Sequence, residues 1–173
     1  MNAIIRIILL SLLLSTTAYA LDKYWEREDK KMPKRIEELK AYNLKGAEKI
    51  KNSELKKTFF SYITSEVSDD YKKRYAYLSK RYKAALSKDF PEIVSADTYE
   101  EFAKNHNEIG YINYKQIISC KQLTGMKYRI DTEFECYGEG DHYRLIYGHY
   151  FVKEAGQWKY DGFKELKSVI ISP

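Results

Sequence analysis

Cysteine and histidine are scarce in this chain, with two Cys and three His among 173 residues. Two cysteines cannot build a disulfide-dense scaffold, and with three histidines they supply little for a structural zinc site. No phosphate loop, paired cysteine motif, haem attachment site or serine elbow occurs anywhere, which removes the chemistries those motifs carry. Long apolar runs are also missing. The uncharged stretch Ile7 to Leu21 has 15 residues, short of the roughly 20 that cross a bilayer as a helix. What is present is the material of a folded chain: 44% hydrophobic residues and a formal net charge of +5, from 30 Lys plus Arg against 25 Asp plus Glu. That balance excludes a wholly disordered protein.

The N-terminus has the order of an export signal. Arg6 precedes the apolar run Ile7 to Leu14, and Ala18-Tyr19-Ala20 places small residues where a signal peptidase cuts. Residues 1–20 are therefore expected to be removed, leaving an exported, periplasmic protein that does not span the membrane. The remaining 153 residues suit one domain. In an oxidising compartment Cys120 and Cys136 are a candidate disulfide. The alternative is two separate buried thiols, because a tight hairpin at Thr124-Gly125 sets Cys120 opposite a residue near Arg129, about seven residues short of Cys136.

Residues 21–52 form a charged extension. Asp22 to Lys57 holds 12 basic and 8 acidic residues, and after Pro33 the positions Ile36, Leu39, Asn43, Gly46 and Ile50 make a narrow stripe along a helix. That helix either lies on its own domain or pairs with a partner. A second helix, capped at Ser53, presents Leu55, Phe59, Phe60, Tyr62, Ile63 and Val67 to a core. A third is expected from Asp70 to Ser87. Its apolar arc comprises Tyr71, Tyr75, Leu78, Tyr82, Ala85 and Leu86. The remainder carries Lys72, Lys73, Arg74, Lys80, Arg81, Lys83 and Lys88, with Tyr77 among them. No acid falls between Tyr71 and Lys88, a local charge of +7. The ridge centred on Lys73, Arg74, Tyr77, Lys80 and Arg81 is a candidate surface for an anionic envelope polymer or acidic partner; the six acids from Asp89 to Gly110 can instead neutralise it within the fold. Nucleic acid is excluded as a partner by compartment. Asp97 and Glu100 have capping-box spacing and open a short helix, with His106 beyond its end.

After Gly110 the pattern becomes that of strands: Tyr111 to Leu123, Met126 to Tyr137, His142 to Lys153 and Gln157 to Leu166. In the second, Met126, Tyr128, Ile130, Thr132, Phe134 and Cys136 alternate with Lys127, Arg129, Asp131, Glu133 and Glu135, so one face is buried and one is wet. Short turns make the strands an antiparallel meander. The expected fold class is α+β, with N-terminal helices packed on a curved, four-stranded sheet.

The helix Leu55 to Val67, Asp70-Tyr71 followed by Tyr75-Ala76-Tyr77-Leu78-Ser79, the short helix at Tyr99-Glu100-Glu101-Phe102 and the strand bearing Trp158-Lys159-Tyr160 together resemble the nuclear transport factor 2-like superfamily. The resemblance covers residues 53–166 and implies a cone-shaped fold whose pocket serves catalysis, ligand binding or protein association in different members. It implies that Tyr128, Ile130, Phe134, Tyr147, His149, Phe151 and Trp158 point into the cone, as pocket lining or as filling. A catalytic pair would be His149 with Asp161. His142 and His149 lie on opposite faces of their strand and share no metal, and neither a cofactor nor a metal is expected. Function is expected in a non-catalytic exported module that binds an unidentified protein or small ligand. A catalytic or small-molecule cone pocket and polymer binding through the basic helix are the alternatives.

Overall fold

The computed structural model describes residues 30–105, 111–138 and 141–172. The export signal, its cleavage point and His106 lie outside the described residues. The chain falls into two units divided between Glu37 and Glu38, and the second carries the fold.

Helix α1 spans Met32–Lys40 and stops well before the expected end of the apolar stripe. Tyr42 and Gly46 adopt positive φ (57° and 84°), and the chain then makes a short 3-10 turn at Ala47–Lys49. This strap lies along the sheet edge. Lys45 O accepts from Ile117 N at 2.8 Å, and Lys49 Nζ donates to the carbonyls of Ile117 and Ile118, both at 3.0 Å. Leu44, Ala47 and Ile50 are buried beneath it.

Helix α2 (Ser53–Val67) is capped one residue earlier than its sequence suggests, by Asn52, whose side chain accepts from Leu55 N. All six of its apolar positions are buried, each contributing about 2 kcal/mol of burial. The expected third helix is two helices: α3 (Tyr71–Tyr77) and α4 (Lys80–Asp89). Between them Leu78 is extended, Ser79 caps α4 through Tyr82 N, and Ser79 N donates to Tyr160 O at 2.8 Å. The break lets the sheet edge capture the backbone that a continuous helix would have kept for itself. Helix α5 (Ala96–Asn105) is capped by reciprocal hydrogen bonds of Ser95 and Thr98. Asp97 and Glu100 instead pair with Lys72.

The rest of the chain is four strands, β1 (Tyr111–Thr124), β2 (Lys127–Gly138), β3 (Asp141–Glu154) and β4 (Gln157–Ser172). They form an antiparallel sheet in the order β1-β2-β3-β4, so the fold is α+β with the helices before a curved sheet. Strand β4 runs six residues beyond its expected end. Register shifts at three points in the β3–β4 pair and three in the β1–β2 pair bend the strands, as bulges do. Alternation on β2 is kept, with Ile130, Thr132, Phe134 and Cys136 buried, but Met126 is exposed at the turn and Asp131 is buried on the expected wet face. Asp131 is covered because Arg129 Nε lies 2.8 Å away and Ser119 Oγ donates to it at 2.6 Å.

The cysteines are not bonded to each other, and the register explains why. Cys120 faces Ile130, while Cys136 faces Ile112. Six residues of β2, about 20 Å, separate Cys136 from the position opposite Cys120, whereas a disulfide tolerates about 7 Å between Cα atoms. Burial raises the Cys120 thiol and pushes that of Cys136 up to about 11. Among the described residues no helix is long and apolar enough to cross a membrane.

Candidate functional site

The break at Leu78 and Ser79 swings α4 so that the Tyr82 ring covers Gly162, where an added Cβ would come within 3.1 Å of it. That placement closes one side of a cavity of about 410 Å³ between the helices and the sheet. Helix α2 contributes Tyr62 and Glu66, one turn apart. The short helices supply Tyr71, Arg74, Tyr82, Leu86, Tyr99, Phe102 and Ala103. The sheet supplies Ile112, Tyr114, Phe134, Tyr147, His149, Tyr160 and Phe163. Aromatic rings make most of the wall: Tyr62 stacks on Tyr160 with centroids 3.9 Å apart, and Tyr147 on Phe163 at 4.9 Å.

Three groups give this wall polarity. Glu66 accepts from the Tyr114 hydroxyl at 2.5 Å and stands 3.8 Å from Arg74 Nη1. Arg74 Nε donates to Tyr99 Oη at 2.8 Å, and its guanidinium lies 5.4 Å from the ring centres of both Tyr71 and Tyr99, within cation–π range. Burial opposes the Arg74 charge, but the surrounding tyrosines and Glu66 outweigh it and its pKa is raised. The third group is His149, 3% exposed. One ring nitrogen, Nε2, shares a hydrogen bond of 2.9 Å with Thr132 Oγ1, while Nδ1 is buried with no partner. Burial lowers this imidazole from 6.5 to about 4, against a small opposing effect of Asp131, so the ring is neutral at pH 7. Burial also raises the phenols of Tyr62, Tyr114 and Tyr160 well above 10. They remain protonated and act as hydrogen-bonding groups.

Of the seven residues that the resemblance pointed into the cone, Phe134, Tyr147 and His149 line this cavity, while Phe151 is fully buried outside its lining. Tyr128, Ile130 and Trp158 do not line it either. They sit toward the two hairpin turns, where Tyr128 meets Trp158 edge-on at 5.3 Å and Ile130 is fully buried. Glu66, Arg74, Tyr99, Tyr114 and Tyr160 join the site without having been assigned to it. Arg74 lies three residues after Tyr71 and one before Tyr75, at the edge of the apolar arc of its helix, a weak signal that the neighbouring lysines obscure.

The basic ridge is not continuous. Its two halves belong to different helices, and Arg74 turns inward. Arg81 contacts Asp161 at 2.8 Å and Lys72 contacts Asp97 at 2.8 Å. Lys73 and Lys80 stay exposed, and Tyr77 is half-buried. The pair His149 and Asp161 is not assembled either. Asp161 is held by Ser79 Oγ at 2.6 Å, Arg81 at 2.8 Å and Lys127 at 3.4 Å, whereas His149 is bonded to Thr132. Among the described residues no group of three or more His, Cys, Asp and Glu is placed to hold a metal. No protein-family model matches the chain, and no curated protein matches it.

Proposed function

We propose that this protein is an exported, non-catalytic binding module of the nuclear transport factor 2-like type whose cavity holds a small molecule. The observation that carries the reading is the cavity itself: about 410 Å³, walled by aromatic rings, with Glu66, Arg74 and His149 converging on it. Binding sites for small molecules have this composition, mostly apolar with few placed polar groups, and span about 300–1,000 Å³. Helices preceding a curved antiparallel sheet support the superfamily assignment, and the signal-like residues 1–20 support export to a periplasm. The absence of a His149–Asp161 contact supports binding over acid–base catalysis, because Asp161 has its oxygens engaged elsewhere.

Ala103 offers the test. It is buried on α5 and lines the cavity, so Ala103→Trp fills space that a ligand would use. The proposal expects wild-type protein to take up a small apolar reporter dye and Ala103→Trp to lose at least tenfold in affinity while keeping its circular dichroism spectrum. Equal uptake by a folded Ala103→Trp protein rejects the cavity as the binding site.

A further inference from the structure

Two charged side chains of the cavity wall are anchored at one atom and unpaired at the others. Glu66 on α2 and Arg74 on α3 both line the cavity, with 16% and 21% of their side-chain surfaces accessible. Glu66 Oε2 accepts from the Tyr114 hydroxyl at 2.5 Å. Arg74 Nε donates to Tyr99 Oη at 2.8 Å, and the guanidinium lies 5.4 Å from the ring centres of Tyr71 and Tyr99. That leaves Glu66 Oε1 and Arg74 Nη1 and Nη2. Nη1 and Oε1 stand 3.8 Å apart, beyond hydrogen-bond distance, and among the described residues none of the three atoms has a hydrogen-bond partner. None of the three is fully buried, so a molecule in the cavity can reach them.

A free acceptor beside a free donor is the complement of an amide edge. A carbonyl oxygen accepts from Arg74, the neighbouring N–H donates to Glu66, and one planar uncharged group closes the gap. Paired donor and acceptor sites of this kind are how Asn and Gln read the edge of adenine. Ions fit less well. A carboxylate drawn to Arg74 comes close to Glu66, and an ammonium drawn to Glu66 comes close to Arg74; each meets a like charge and gives up its water on entering. A ketone satisfies Arg74 but leaves Glu66 Oε1 unpaired. Water can bridge the two groups, and an amide that displaces it restores both hydrogen bonds. Each of those bonds has a charged partner and is stronger for it.

We infer that the ligand is a compact, uncharged molecule bearing an amide edge, as a carboxamide or lactam does, whose carbonyl accepts from the Arg74 guanidinium and whose N–H donates to Glu66 Oε1. This rests on the cavity being a binding site. Glu66 and Arg74 then set specificity, and Tyr114 and Tyr99 hold them in position.

The test measures four probes of similar size by equilibrium dialysis against the protein: benzamide, acetophenone, benzoate and benzylammonium. In the wild type, benzamide should bind about fivefold or more tighter than acetophenone, which lacks the N–H, and roughly tenfold tighter than either ion. Glu66→Gln removes one charge and keeps an acceptor for Tyr114. With no fixed anion beside Arg74, benzoate should gain roughly tenfold relative to benzamide, a reversal that a damaged cavity does not produce. Ala103→Trp should weaken all four. Acetophenone binding as tightly as benzamide means that water alone fills the gap, and overturns the ligand class. Either ion binding as tightly, or an unchanged benzoate-to-benzamide ratio in folded Glu66→Gln, also overturns it, while the cavity stays a binding site. Failure of all four probes to bind overturns both.

Discussion

His149 has exchanged water for an enclosure of rings, with Phe59, Tyr114, Tyr147 and Tyr160 around it, and this enclosure sets its acid–base behaviour. Burial lowers it from 6.5 to about 4, so the unfolded chain binds this proton more tightly than the folded one. Its contribution to stability is complete above about pH 6.5, is lost as pH falls toward 4, and amounts to something on the order of 3 kcal/mol. Urea titrations at pH 7 and pH 4.5 should therefore show a marked loss for the wild type and a much smaller one for His149→Phe; parallel losses would mean the ring is not held neutral. Gly46 makes a second residue-scale test. At φ 84° an added Cβ would lie 2.1 Å from Ile117 O, whereas Gly156 at φ 83° has nothing within 4 Å. Gly46→Ala should lose at least about 2 kcal/mol in urea unfolding, and Gly156→Ala only about 1 kcal/mol, the cost of the left-handed backbone alone. Single residues also set the limit of sequence reading here: a basic side chain on a lysine-rich helix reads as solvated surface, and Arg74 is turned inward by Tyr99 and Glu66, which lie on two other helices.

At the level of elements, the structure departs most from its pattern at Leu78 and Ser79. The apolar positions Tyr71, Tyr75, Leu78, Tyr82, Ala85 and Leu86 keep helical spacing across the break, so periodicity alone predicts one helix. A tertiary contact ends α3, Ser79 N on Tyr160 O; the local signal is a Ser in position to cap a new helix at Lys80. Ser79→Ala discriminates the two. In the broken arrangement it removes the cap on Tyr82 N and the Asp161 hydrogen bond, and should cost about 2 kcal/mol with faster amide exchange at Lys80 to Tyr82. In a continuous helix the same change would be neutral or slightly stabilising, since Ala is the better helix former. The first helix has the same history. Asn43 and Gly46 fit a stripe by spacing, but Gly46 is needed where the strap presses against β1. The strands were easier to read, because β2 alternates every second residue and its buried face is set directly by that alternation. Asp131 is the exception, covered by neighbours that alternation does not foresee.

In the larger unit, from Glu38 on, helices precede and pack on a curved sheet, and that arrangement was legible from element order and short turns. The location of the cavity was not. It depends on where α4 and α5 come to rest, and sequence placed the aromatic lining toward the hairpin turns as well as at the open end. The same sheet register keeps Cys120 and Cys136 apart, whatever the redox state of the compartment. Protein purified without reductant should therefore give two reactive thiols per chain once denatured, and slow reaction while folded. No reactive thiols on denaturation would contradict the β1–β2 register.

The proposed binding function requires an occupied cavity, and native mass spectrometry of the protein, purified from its own source without denaturation and then measured again under denaturing conditions, reads that occupancy. The expected native mass exceeds that of the denatured chain by one small molecule, lost from the Ala103→Trp variant. A native mass equal to the bare chain, or an excess that Ala103→Trp leaves unchanged, would contradict it.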